Sequence, residues 1–235
     1  MNKLLLLLSL VVGTASADNL ISIEQIGTGN SNTVSVTVDG SDNEVDYSFG
    51  GASNSVSIDQ KGDDAYVGYT TAWGSGAGWG GDLDGDGNQM DIRQLCNQSS
   101  CEGDSFQFHI QGDDNSIAVG QGYHVTTGVG FSNDSLEFGG HTAILDVHGS
   151  DNNVIISQRS GEYNGDKSID LTVSSDNNSV SLIQGGSGTH SATVSLSGTY
   201  DTDLNLTQYS NTAQTYSLTQ SCATVGGCSV AVTQN

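Results

Sequence analysis

The chain has 235 residues, with 27 Asp and Glu against 5 Lys and Arg, a formal charge of −22, 32 Gly and no Pro. That acidity excludes nucleic acid and anionic membrane surfaces as partners and favours divalent cations. Proline interrupts strand ladders, so its absence beside abundant glycine suits a chain of strands and tight turns.

Residues 1–17 read as a signal peptide: Lys3 is the basic start, Leu4 to Val12 the apolar core, and Ala15-Ser16-Ala17 the small-residue cleavage pattern. The apolar run falls short of the roughly 20 residues that span a bilayer. The expectation is a secreted protein with no membrane insertion, whose mature part is one repeat domain over 18–235.

In chain order, strict apolar alternation begins at Leu20-Ile21-Ser22-Ile23-Glu24-Gln25 and continues through Val34-Ser35-Val36-Thr37-Val38 and Val45-Asp46-Tyr47-Ser48-Phe49. A phrase Gly-x-x-Asn-x-apolar-x-apolar-x-Gln then runs from Gly51 to Gln60 around Asn54. A Gly-rich insert near 70–82 carries Trp73 and Trp79. The phrase returns from Gly85 to Gln94 with Asn88, and a second insert, 97–104, follows Cys96 and contains Cys101. Phe106-Gln107-Phe108-His109-Ile110 alternates again, and the phrase recurs from Gly112 to Gln121 with Asn115. After a third insert, 122–140, it runs from Gly149 to Gln158 with Asn152, and from Ser175 to Gln184 with Asn178. Strands at Ile169–Val173, Val194–Leu196 and Tyr216–Gln220 alternate with segments ending at Gln184, Gln208 and Gln234.

Four of these glutamines, Gln158, Gln184, Gln208 and Gln234, stand 26, 24 and 26 residues apart. A fixed period of this size signals a stack of supersecondary units. Identical Gln and Asn at the period of the whole unit favour β-arches, in which each strand pairs with its equivalent in the next unit and amides pile into ladders. The expected fold is all-β: an amyloid-like β-solenoid of about eight two-strand rungs, roughly 38 Å tall at strand spacing. Its ladder residues would be Asn30, Asn54, Asn88, Asn115, Asn152 and Asn178, with Gln25, Gln60, Gln94, Gln121, Gln158, Gln184, Gln208, Gln220 and Gln234. Strands begin close to the cleavage site and run to the C-terminus, so both ends would expose unpaired edges, a template for further chains.

The motif Ile21-Ser22-Ile23-Glu24-Gln25-Ile26-Gly27-Thr28-Gly29-Asn30 and the run Gly51 to Gly62 resemble the curlin repeat, the unit of curli amyloid fibres in bacterial biofilms. The resemblance covers most of the mature chain in patches. It implies a secreted subunit that assembles with itself outside the cell, exported through an outer-membrane channel and started by a nucleator. The units here are longer than the family's, large loops interrupt them, cysteines are present, and the polar leader after the signal is short or missing.

Asp82-Leu83-Asp84-Gly85-Asp86-Gly87-Asn88 matches the first half of an EF-hand loop, with Asp91 as a substitute for the missing distal acid. Calcium is the cofactor such a set would take; the competing reading is a polar turn within the repeat. Cys96 with Cys101, and Cys222 with Cys228, form two close pairs suited to disulfides in an exported protein, locally or crosswise, with zinc as the rival. His109, His124, His141, His148 and His190 lack the spacing of a metal site. Trp73 and Trp79 offer either a ligand loop or local packing. No nucleophile elbow is present, and acids without neighbouring basic groups do not suggest an enzyme. The expected function is a structural subunit of extracellular filaments for biofilm matrix or adhesion. The alternative is a monomeric, calcium-binding or carbohydrate-binding β-solenoid adhesin.

Overall fold

The computed structural model describes residues 7–12, 19–25, 32–68, 81–96, 103–126, 130–133, 139–160 and 165–235. The strands in chain order are β1 Leu7–Val12, β2 Leu20–Gln25, β3 Thr33–Asp39, β4 Glu44–Phe49, β5 Ser55–Lys61, β6 Tyr66–Val67, β7 Asp82–Asp84, β8 Gln89–Leu95, β9 Ser105–Gln111 and β10 Ser116–Gln121. They continue as β11 Tyr123–Thr126, β12 Gly130–Asn133, β13 Thr142–His148, β14 Asn153–Gln158, β15 Lys167–Ser174, β16 Ser179–Gly185, β17 His190–Gly198, β18 Thr202–Tyr209, β19 Gln214–Cys222 and β20 Cys228–Gln234.

The chain is an all-β solenoid. Sheet A has nine strands in the order β1-β3-β5-β8-β10-β14-β16-β18-β20. Sheet B runs β2-β4-β6-β9-β13-β15-β17-β19, with β7 beside β6 between β4 and β9. Every pairing within these sheets is parallel and joins a strand to its equivalent in the next unit, as expected of stacked arches. From β2/β3 to β19/β20 the levels alternate between the sheets. Between them lies a core of columns, such as Val36, Ile58, Ile92, Val119, Ile156, Leu182 and Leu206, all buried and in register. Alternation accounts for this: one face of each strand is apolar and meets the apolar face of the other sheet.

The turn from sheet B to sheet A explains the recurring phrase. Its third residue takes a left-handed conformation at Ser53, Gly87, Asp114, Asp151 and Asn177, which Asn, Asp and Gly tolerate best. Its first residue at Gly85 and Gly112 has no room for a side chain: a Cβ on Gly85 would lie 2.0 Å from the Gly112 carbonyl oxygen of the next level.

Three expectations change. The insert near 70–82 interrupts a sheet B strand level between β6 and β7, and Asp82 belongs to β7. The insert 122–140 carries an antiparallel hairpin, β11 with β12, rather than bare loop. β1, inside the expected signal peptide, pairs in parallel with β3, placing Leu8, Leu10 and Val12 opposite Val34, Val36 and Val38. In the full chain the first edge of sheet A is therefore covered.

Candidate functional site: ladders, end rungs and an outer-face cluster

Two amide ladders hold the levels in register. In the first, each Asn side chain accepts the backbone N–H of the Asn one level on. Asn54 N–H donates to Asn32 Oδ1 at 2.8 Å, Asn88 N–H to Asn54 at 2.8 Å, Asn115 N–H to Asn88 at 3.0 Å, Asn152 N–H to Asn115 at 3.0 Å and Asn178 N–H to Asn152 at 2.9 Å. Each amide of Asn54, Asn88 and Asn115 also donates to the turn carbonyl of the next level. Asn32 heads this column; Asn30 lies outside the described residues.

The second ladder runs through Gln60, Gln94, Gln121, Gln158, Gln184, Gln208 and Gln234, each Nε2 donating to the next Oε1 at 2.8–3.2 Å. The same Nε2 donates across the corner to a carbonyl at the start of sheet B, as Gln121 does to Ser105 and His141. Buried amides satisfied in this way fix the register, because a one-residue slip along the strands would orphan them. The ladder has a direction. Below Gln60 stands Val38, and Gln60 Oε1 has no partner among the described residues.

Gln25 and Gln220 do not join this ladder. They lie in sheet B, opposite Phe49 and Leu196. The alternation is the same in both sheets, so the motif alone does not say which sheet a Gln ends. Their column is apolar at the levels between, through Phe49, Leu83, Ile110, Val147, Val173 and Leu196.

The last rung is open at β19 and β20, and the first at β2, while β1 covers β3. At the far end, Tyr216, Leu218, Val230 and Val232 point inward but are only partly buried; Ile21 is their counterpart in the first level. Cys222 and Cys228 form a disulfide that joins β19 to β20 across the last corner. Cys96 is also disulfide-bonded. Cys101, Trp73 and Trp79 lie outside the described residues.

The five residues of the expected calcium set lie on β7, in the turn that follows it and on β8. Asp82 and Asp84 sit on β7, and Asp82 accepts from the Ser48 hydroxyl at 3.1 Å. Asp86 Oδ1 accepts the Ala52 N–H at 2.6 Å. Asn88 is a buried member of the Asn ladder, and Asp91 pairs with Arg93 on β8 at 3.2 Å. Three further turn acids follow Asp86: Asp63, Asp113 and Asp176 each accept a backbone N–H from the preceding level. At Asp63 the Ser41 N–H and hydroxyl hold the carboxyl below its usual range.

What the histidine spacing did not suggest is a cluster on the outer face of sheet B. His109 Nδ1 and His148 Nε2 lie 2.9 and 3.0 Å from one carboxylate oxygen, Asp146 Oδ1. Aligning β9 with β13 in the repeat register, Ile110 on Val147, would have put His109 opposite Asp146 and Gln111 opposite His148. The other buried histidines, His141 and His190, belong to a corner column with Lys167. Lys167 Nζ donates to the carbonyls of Gly165 and Gly188. The described part of the chain contains no helix long and apolar enough to cross a membrane.

No protein-family model matches the chain, and no curated protein or solved structure matches it.

Proposed function

We propose that the chain is a secreted, non-enzymatic subunit that stacks end to end into extracellular, curli-like amyloid filaments for biofilm matrix or adhesion. The observation that carries this reading is the mutual compatibility of the two end rungs, whose edges are β19 and β20 at the far end and β2, with β3 under β1, at the near end. A second copy placed on the last level would continue sheet B from β19 to β2 and sheet A from β20 to β3 with the strand direction preserved. Val230 and Val232 would then meet Val34 and Val36, and Tyr216 and Leu218 would meet Ile21 and Ile23. Gln220 would meet Gln25, so the two glutamines that interrupt an apolar column would pair with each other. Removal of the leader would bare β3; while β1 stays in place it occupies the strand position the incoming β20 needs. The likeness to the curlin repeat supports the same reading.

Electron microscopy of residues 18–235 tests it, in calcium and in chelator. Filaments are expected from the wild type and none from Leu218→Lys, which places a charge on the end rung and leaves the interior levels intact. A chain retaining residues 1–17 should elongate more slowly. Filaments in calcium alone would mean that cations bridge the acidic turns. Monodisperse wild-type monomers in both conditions would overturn the filament reading in favour of a monomeric adhesin.

A further inference from the structure

We propose that His109, Asp146 and His148 bind a divalent transition-metal ion of the zinc or copper class. Their ligand atoms all lie within 4.8 Å of one another, the one such trio among the described residues. The trio stands midway along the solenoid, on the outer face of β9 and β13, away from both end rungs. It is thus independent of filament formation.

The polar accounting leaves a place for a cation. His148 meets an acceptor at each ring nitrogen: Gln111 Oε1 lies 2.9 Å from Nδ1 and Asp146 Oδ1 lies 3.0 Å from Nε2. A neutral imidazole has a single N–H. With that hydrogen on Nδ1 and given to Gln111, the Nε2 lone pair faces the carboxylate, which is repulsive unless a proton or a metal ion lies between. Asp146 Oδ1 also meets His109 Nδ1 at 2.9 Å. A zinc ion with bonds of about 2.0–2.1 Å sets its ligand atoms roughly 3.3 Å apart. Opening the two contacts by a few tenths of an ångström and drawing the rings together makes that room. The rings already lie edge to face, with centroids 4.9 Å apart and an interplanar angle of 68°.

The surroundings favour the charge. Asp82 and Asp84 of β7 are the register neighbours of His109 and Gln111. Gln111 would hold the His148 tautomer, the role that outer hydrogen-bond partners have at imidazole metal sites. Two imidazoles and one carboxylate suit zinc or copper better than calcium, which prefers oxygen alone. His148 and Asp146 are partly exposed, so solvent reaches the site and a fourth position stays open for water.

Zinc chloride titrated into the folded chain by calorimetry should bind at one ion per chain. His148→Ala and His109→Ala should abolish that event, and Gln111→Ala should weaken it by roughly tenfold. His124→Ala should leave it unchanged. Far-ultraviolet dichroism must show the variants folded; should His109→Ala unfold, the exposed His148→Ala and Asp146→Asn carry the test. Cobalt substitution should give visible bands that vanish in Asp146→Asn. Absence of saturable binding, or binding indifferent to His148 and Asp146, would overturn the proposal and leave the trio an ion-pair cluster.

Discussion

The two corners of the solenoid solve the same problem differently. From β4 onward, the corner leading from sheet B to sheet A is always short, as in 85–88, 112–115, 149–152 and 175–178. The corner leading from sheet A to sheet B is short at 40–43 and 186–189 but swells to 96–104 and 122–141. The first is closed by its own backbone: a left-handed residue, a glycine pressed against the next level, and the Asn ladder at its exit. The second uses the same kind of turn at 40–43, with Asp42 left-handed and Asn43 bonded to its neighbours, and from Gln60 onward is also closed by a side chain. Each ladder glutamine reaches from the end of a sheet A strand to a carbonyl of sheet B, so the sheets stay clamped whatever the intervening chain does. Where the turn is the fastener, nothing fits; where an amide is the fastener, loops grow.

Insertion breaks this comparison most directly. Four residues, Gly-Ser-Gly-Ser, placed between Asp113 and Asp114 should destroy the turn, unseat Asn115 and abolish a cooperative folding transition. The same insert between Thr127 and Gly128 should shift the urea midpoint little, since the bonds from Gln121 to Ser105 and His141 hold that corner without the chain between. Equal effects at both sites would remove the distinction.

Single amides sharpen it. Asn115→Ala leaves the buried Asn152 N–H without its acceptor and deletes the bond to the Gly149 carbonyl. Gln121→Ala deletes donations to Gln158, Ser105 and His141 and takes from the Gln94 amide one of its two acceptors, leaving the Tyr66 carbonyl. Each should cost about 3 kcal/mol in denaturant unfolding, given about 1–3 kcal/mol for each buried group left unsatisfied. The difference should appear on combination. The 127–128 insert, harmless in the wild type, should become destabilising with Gln121→Ala, because the loop then has to hold the corner. Additivity would mean that the glutamine is not the clamp.

How much of this was legible follows from the same physics. Period-two alternation and the Gly-x-x-Asn phrase name the arches, their parallel stacking and most ladder members, because each is a local consequence of a turn and a strand. Which sheet a strand joins is not local. Gln25 and Gln220 end the same motif as Gln60 but fall in the other sheet, and the level between β4 and β9 is divided by the insert that separates β6 from β7. Asp82 and Asp84 read as loop residues in the sequence, whereas the fold places them on β7 in sheet B, flanking the buried Leu83. His109 and Asp146 are 37 residues apart because the hairpin insert lies between their levels; only the register makes them neighbours.

The smallest effect concerns the column at the variable corner, where the register sets Lys167, His190 and Gln214 in line. His190 is fully buried, and its Nε2 donates to the Gly185 carbonyl at 2.8 Å. Burial holds its pKa below the usual imidazole value of 6.5, and the charge of Lys167 lowers it further, against the Gly185 hydrogen bond. As pH falls through 6.5 the unfolded chain takes up this proton before the folded one does. Stability from this residue is therefore complete above that pH and declines below it until the folded imidazole titrates in turn. The slope cannot exceed about 1.4 kcal/mol per pH unit. His190→Gln, which copies the residue one level on, removes the proton-binding group and keeps an amide donor for Gly185. Urea midpoints at pH 7.5 and 5.0 should therefore fall further in the wild type than in His190→Gln. Parallel falls would mean that the buried ring titrates as it does in the unfolded chain, and that this corner tolerates charge as well as length.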